Sequence, residues 1–237
     1  MEFWSAFSIA FELISSFDTN LLEIVLLSLR VSISALLISA IIGLSVGAVL
    51  ATFEFAGRST LIIIVNALLA LPPVVVGLVV YMMLSNAGPF GWLQLLYSPF
   101  AMIIAQVILI TPIVIALSRQ ALEELNTTYD EQLRSLGVHG FEKARTLLFE
   151  ARYALLTVLL AGFGRAISEV GAVIIVGGNI NHVTRVMTTT IALETSKGDL
   201  GLALALGIIL LAIAVIVNII ASSFKQLEGR YRYAYAG

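Results

Sequence analysis

RQALEELNTTYDEQLRSLGVHGFEKARTLLFEAR, residues 119–152, is the one extended polar stretch in a chain that is 59% hydrophobic and 12% charged. The apolar runs on either side are long enough to cross a bilayer, so the stretch is a connector, but it is not composed like a loop. Thr128-Tyr129-Asp130-Glu131 has the S/T-x-x-E form of a capping box, which predicts that a helix starts there. Leu133 and Leu136 are apolar positions on that helix, and Gly137-Val138-His139-Gly140 interrupts it, glycine being suited to left-handed backbone. A second helix follows, with Phe141, Ala144, Leu148 and Ala151 at i, i+3, i+7 and i+10 and with Glu142, Lys143 and Arg145 on other faces. The stretch reads as a helical hook of two short helices meeting at a glycine corner. Amphipathic helices lying on the membrane surface carry the same pattern.

The mean hydropathy of +1.03 and several apolar runs of the length of a membrane span make the rest an all-α polytopic membrane protein. A formal charge of -2 argues against a nucleic-acid partner, which needs a concentrated basic face. Cysteine is absent, so disulfides and thiolate metal sites are ruled out, and His139 and His182 sit in separate polar stretches, so no metal site is expected.

Residues 1–20 hold Trp4, Phe7, Phe11 and Ile14 at helical spacing with no basic residue, an interfacial helix rather than a secretory signal. The membrane-spanning body covers 21–224, in five expected spans: 21–53, 60–84, 99–117, 153–176 and 200–224. In the first, Arg30 could pair with Glu23 two turns away or snorkel to the interface. In the second, Pro72 and Pro73 remove backbone donors in mid-membrane and predict a kinked helix facing the protein interior. A loop at 85–98 carries Gly88, Pro89, Gly91, Trp92 and Tyr97, and Pro112 lies in the third span. The stretch 177–199 is polar, with a short helix expected over 186–193, and 225–237 is a tail. Nine basic residues fall on the side of the hook and tail, against Arg185 and Lys197 on the other. That bias puts the hook and C-terminus in the cytoplasm and the N-terminus outside the cell (inner) membrane.

Arg165 and Glu169 lie mid-span in the fourth segment, within Gly164-Arg165-Ala166-Ile167-Ser168-Glu169-Val170-Gly171. Each buried charge costs at least about 2.5 kcal/mol on insertion scales, so such residues face a bundle interior or water. At i,i+4 they are neighbours. They are either a neutralised pair that packs helices or a positive potential on an anion pathway, oriented by the carboxylate. No G-x-x-x-x-G-K-[ST] phosphate loop and no nucleophile, base and acid set occurs, so the chain is not read as an enzyme. Energy then comes from an ion gradient or another subunit.

Glu131-Gln132-Leu133, three residues, Gly137, nine residues and Leu147-Leu148-Phe149 resemble the EAA loop (E-A-A-x3-G-x9-I-x-L-P) of the membrane-spanning subunits of type I ABC importers. Gln132 and Leu133 replace the two alanines, and Glu150 replaces the proline. Ala70-Leu71-Pro72-Pro73-Val74-Val75-Val76-Gly77 and the run Gly164 to Val173 with Gly177-Gly178-Asn179-Ile180 look like the molybdate/tungstate branch. Followed by Arg185-Val186-Met187-Thr188-Thr189-Thr190-Ile191, the second run is most similar to tungstate permeases. The resemblance implies the type I importer fold, with coupling helices that dock on an ATPase subunit through Glu131, Leu133, Ser135, Leu136, Gly137, Val138 and Phe141. The residues expected on the pathway are Pro72, Pro73, Arg165, Ser168 and Glu169, and the resemblance implies no cofactor in this chain, with ATP and Mg held by the partner ATPase dimer. A second copy of the chain and an extracytoplasmic oxyanion-binding protein are the other partners implied, besides the lipid bilayer. Molybdate or sulfate could be the cargo instead of tungstate, and a self-sufficient ion-coupled transporter is the reading from a different class.

Overall fold

The structure, a computed structural model, describes the backbone of residues 3–235 and the side chains of residues 4–223. Every regular element among the described residues is helical: α1 (Phe3–Ser15), α2 (Thr19–Thr52), α3 (Arg58–Leu68), α4 (Pro73–Leu84), α5 (Pro99–Ser135), α6 (Gly140–Glu150), α7 (Arg152–Ile167), α8 (Gly171–Gly177), α9 (Met187–Lys197) and α10 (Leu200–Tyr235). Lipid offers no partner for a free N–H or C=O, so apolar runs of this length must bond within themselves as helices. α2, α5 and α10 are each long and apolar enough to cross a membrane alone. α3 with α4 and α6 with α7 qualify only as pairs, bent by 100° and 72° at short breaks. Counting each bent pair as one span gives up to five among the described residues, but the α6 and α7 pair starts within the polar stretch 119–152 and does not coincide with the expected span 153–176. α5 is the most enclosed, with 56% of its most apolar window buried against 33% for α2 and 22% for α10.

Three boundaries differ from the sequence reading. The second segment does not kink but breaks over residues 69–72. Pro72 sits in extended backbone (φ -67°, ψ 124°) as N-cap and Pro73 opens α4, where its missing N–H costs nothing. The third segment and the first hook helix are one helix, α5, with Pro112 inside it. The fourth segment is not continuous: α7 stops at Ile167 and α8 starts at Gly171. The short helix after 186 forms as α9, and α10 continues helically past the fifth span to Tyr235. The side chains of the tail, 225–237, lie outside the described residues.

The chain forms two compact units. The first comprises Met1–Ala35, Pro72–Ile108 and Gly164–Ile216. In it α4 lies along α8, burying Val76, Val80, Ala172, Val173 and Val176, with Gly77 backed onto Ala172. The backbone N–H of Met187 donates to Ser28 Oγ at 2.8 Å, which ties α9 to α2. α1 buries Ala6 and Ala10 and leaves Trp4 and Phe11 exposed. Glu23 does not pair with Arg30; its carboxylate lies 2.7 Å from His182 Nδ1.

The second unit comprises Leu36–Leu71, Leu109–Phe163 and Val217–Gly237. Here α2 and α5 run side by side on a row of small residues spaced by four: Ser39, Gly43, Gly47 and Ala51. Thr111 Oγ1 donates to Ser39 Oγ at 3.2 Å, Ser118 Oγ to Gly43 O at 3.4 Å and Asn126 Nδ2 to Ala51 O at 3.3 Å. A Cβ on Gly47 would lie 2.1 Å from Ser118 Oγ, so the helix backbones meet as small-xxx-small pairs do in lipid. α3 packs Val65 and Ile62 against Leu50, Ile115 and Ala116.

Candidate functional site

The hook is carried by α5. Thr128 does not cap a new helix: its Oγ1 donates to Glu124 O at 2.9 Å, the back-bond of a mid-helix threonine. α5 ends where Gly137 takes φ +72°. The N–H of Val138 then reaches Leu133 O at 2.9 Å and that of Gly137 reaches Arg134 O at 3.0 Å. This is the paired bonding of a left-handed helix end, and its usual apolar contact is present, since Leu133 and Val138 share one core with Leu122, Leu125, Leu147, Ala151 and Leu155. α6 buries Ala144 and Leu147. Phe141, expected on that face, is 79% exposed, as are Leu136 (76%) and Phe149 (68%).

Ion pairs pin the hook. Asp130 accepts from Lys143 Nζ at 2.5 Å, joining α5 to α6, and from Arg134 Nε at 3.0 Å. The Lys143 hydrogen bond, then the charges of Lys143 and Arg134, hold the Asp130 carboxyl below its ordinary value of 3.8. At the corner between α6 and α7, the Arg152 guanidinium lies over the rings of Phe149 (4.6 Å) and Tyr153 (4.7 Å). Further up α5, Glu123 takes Arg119 on one oxygen at 2.5 Å and Arg58 on the other. Arg58 Nε also donates to Leu50 O at 2.7 Å, closing the end of α2.

Of the seven residues expected to couple to an ATPase, Leu133 is buried and Val138 half-buried in the hook's own core, whereas Glu131, Ser135, Leu136, Gly137 and Phe141 are exposed. The reading of the sequence missed Phe149, which extends the exposed apolar surface, and Glu123, the acceptor for two arginines. Glu123 stood out only as a carboxylate four residues after an arginine.

The second candidate lies at the break between α7 and α8. Glu169 is 4% exposed and each of its oxygens is used. One pairs with Arg165 Nη1, and the other accepts the N–H of Ala172 at 3.2 Å, the first turn of α8. Its backbone carbonyl accepts from Thr188 Oγ1 at 2.8 Å. One residue therefore fastens α7, α8 and α9, and the captured N–H explains why the helix restarts at Gly171. The Arg165 side chain is 35% exposed, so the guanidinium has solvent-side donors left.

Ser168 is exposed, its hydroxyl donating to Gly164 O at 2.8 Å. Pro72 is exposed and Pro73 half-buried at the start of α4. The same unit holds a small pocket whose polar walls are Ser28, Ser32, Gln106, Glu169 and Thr188. Gln106 Nε2 donates to Ala166 O at 3.0 Å, and its buried Oε1 has no partner. As the one amide in an apolar run, Gln106 was visible in the sequence as an intramembrane polar group, and Thr188 was visible only as part of a threonine run. Among the described residues no cluster of His, Asp and Glu is placed to hold a metal ion.

The model of the family described as binding-protein-dependent transport system inner membrane component matches residues 39–227. A probable anion ABC transporter permease protein of Haloferax volcanii is 39% identical over 88% of this chain and 92% of its own length. The tungstate uptake system permease protein TupB of Peptoclostridium acidaminophilum is 38% identical over 93% of this chain and 96% of its own. Escherichia coli's sulfate transport system permease protein CysT is more distant, at 27% over 83% of this chain. The apolar bent and continuous helices, the hook and these matches lead to one conclusion: the chain is a multi-pass membrane protein that belongs to the binding-protein-dependent transport system inner membrane components.

Proposed function

We propose that the chain is the permease subunit of an ATP-driven importer of a tetrahedral oxyanion, with tungstate first among the candidates. The observation that carries the reading is the hook: an ion-paired helical corner that leaves Leu136, Phe141 and Phe149 exposed. Large apolar side chains on an otherwise charged, ordered connector are what a partner's groove would bury. The partner is a cytoplasmic ATPase dimer that holds ATP and Mg, and the hook contacts it through Glu131, Ser135, Leu136, Gly137 and Phe141, with Leu133 and Val138 supporting from inside. The names of the tungstate and anion permease relatives support the cargo class.

A second copy of the chain completes the pathway about a two-fold axis, and an extracytoplasmic binding protein delivers the oxyanion. The N-terminus lies outside and the hook and C-terminus in the cytoplasm of the cell (inner) membrane, as the basic-residue bias supports. Arg165, held by Glu169, lends positive potential to the pathway beside Ser168, Pro72 and Pro73. Because Glu169 offsets part of that charge, the site attracts an oxyanion without trapping it. Closure of the ATPase dimer moves the hooks and rocks the bundle between inward- and outward-open states.

The test is ATPase activity of the reconstituted complex, with and without tungstate-loaded binding protein. Stimulation by the loaded protein alone is expected, and Gly137→Val should assemble yet lose stimulation, because a β-branched residue fits poorly at φ +72°. Equal activity with empty and loaded binding protein, or unchanged coupling in Gly137→Val, refutes the reading.

A further inference from the structure

Where α2 begins beside the loop 179–186 lies a cation with no carboxylate partner among the described residues. The Arg185 Nε is buried and has no hydrogen-bond partner, and no carboxylate among the described residues pairs with the guanidinium. Other cations of the same unit differ: Arg165 is on Glu169, Lys197 is 3.0 Å from Glu194, and Arg30 is exposed. Arg185 lines a small pocket with Asn20, Glu23, Asn181 and His182 over Ile24 and Leu27. The carboxylate present, Glu23, is engaged by His182 at 2.7 Å. A half-buried guanidinium without a partner is costly unless something completes it.

The loop is built to hold this arrangement. Asn179 and His182 have left-handed φ of +50° and +59°, a conformation that persists only where its surroundings impose it. Thr184 Oγ1 donates to Gly177 O at 2.5 Å while accepting from Ile180 N at 2.9 Å. Thr189 Oγ1 donates to Asn179 Oδ1 at 2.9 Å.

We propose that this pocket is a subsite for a free tetrahedral oxyanion, with Arg185 supplying the charge and the Asn20 and Asn181 amides the neutral donors. A guanidinium presents parallel N–H groups to two oxygens of one anion, and an amide NH2 donates without adding charge. The pocket is too small to enclose the anion, which sits at its mouth, and that suits a cargo that must leave again. The cargo's identity rests on the importer reading; anion binding at Arg185 does not.

The experiment uses the full chain in phosphatidylcholine nanodiscs and follows amide hydrogen exchange over 179–186 during a sodium tungstate titration, with sodium chloride at matched ionic strength as the control. Saturable protection by tungstate is expected. Arg185→Gln should weaken it by about tenfold or more, the worth of a charged hydrogen bond, Asn181→Ala should weaken it less, and Arg30→Gln should leave it unchanged. No protection in the unmodified chain, equal protection by chloride, or equal protection in Arg185→Gln overturns the proposal. Acetate protecting as well as tungstate also overturns it, by identifying Arg185 as a clasp for a protein carboxylate. Since no ATPase or binding protein is present, failure here leaves the coupling reading standing, and failure of coupling leaves this site standing.

Discussion

Arg165 and Glu169 are tied to each other, but losing one is not like losing the other. Arg165→Gln strands a carboxylate that is 4% exposed with only the Ala172 N–H, at 3.2 Å, to satisfy it. Breaking a buried ion pair by removing one partner costs about 3 to 5 kcal/mol. Glu169→Gln keeps an acceptor for Ala172 and strands a guanidinium that is 35% exposed and can turn to water, so about 1 kcal/mol is expected, in the range of an exposed pair. The double variant has two amides and no charge, and should recover about 2 kcal/mol of the summed losses. The assay is unfolding in mixed micelles by circular dichroism, with transport measured on the same three variants. Expected is recovery of stability in the double variant without recovery of transport, since Arg165 also serves the pathway. Glu169→Gln as the more damaging single change, or strictly additive losses, would refute the asymmetry. Recovery of transport as well would make the pair a clamp only.

Gly47→Ala sets a Cβ 2.1 Å from Ser118 Oγ and 3.2 Å from the Arg119 N–H nitrogen, an overpacking worth about 1 to 3 kcal/mol. Thermal unfolding should show this loss and Ser118→Gly should restore part of it; a wild-type melting profile for Gly47→Ala would contradict the close α2 and α5 contact. The hook should respond to acid. A carboxyl held below its ordinary value stabilises the fold above that value and loses its contribution as pH falls through the lowered one, so Asp130 releases α6 only below pH 3.8. Pepsin cleavage within 136–142 should be faster in Asp130→Asn than in the unmodified chain at pH 5, with the ratio approaching one below pH 3.8; a ratio of one throughout would remove Asp130 from the hook's support.

The sequence showed the polar stretch as ordered, placed its turn at Gly137 and paired Arg165 with Glu169, because a left-handed helix end and an i,i+4 ion pair are local events written in adjacent residues. Spans and breaks were harder. Ser/Thr-x-x-Glu reads the same at a helix start and inside a helix, and nothing between Ser118 and Asn126 breaks helicity, so Thr128 looked like a cap while bonding back to Glu124. The end of α7 was hidden for the opposite reason: Arg165 to Val170 holds neither proline nor glycine to signal a break, and Glu169 supports the restart at α8 by capturing an N–H three positions ahead. Partners distant in sequence, such as Arg58 with Glu123 or Thr188 with Glu169, leave no periodic trace at all.

That α5 runs into the hook without interruption changes what kind of length matters there. On a flexible tether an extra residue adds a few ångströms of slack, but on a continuous helix it turns everything beyond it by about 100°. A single insertion or deletion between Ser118 and Arg134 would swing Leu136 and Phe141 around the axis instead of moving them nearer or farther. The constraint on this stretch is therefore one of phase: substitutions that keep the helix should be tolerated, and changes in length should not.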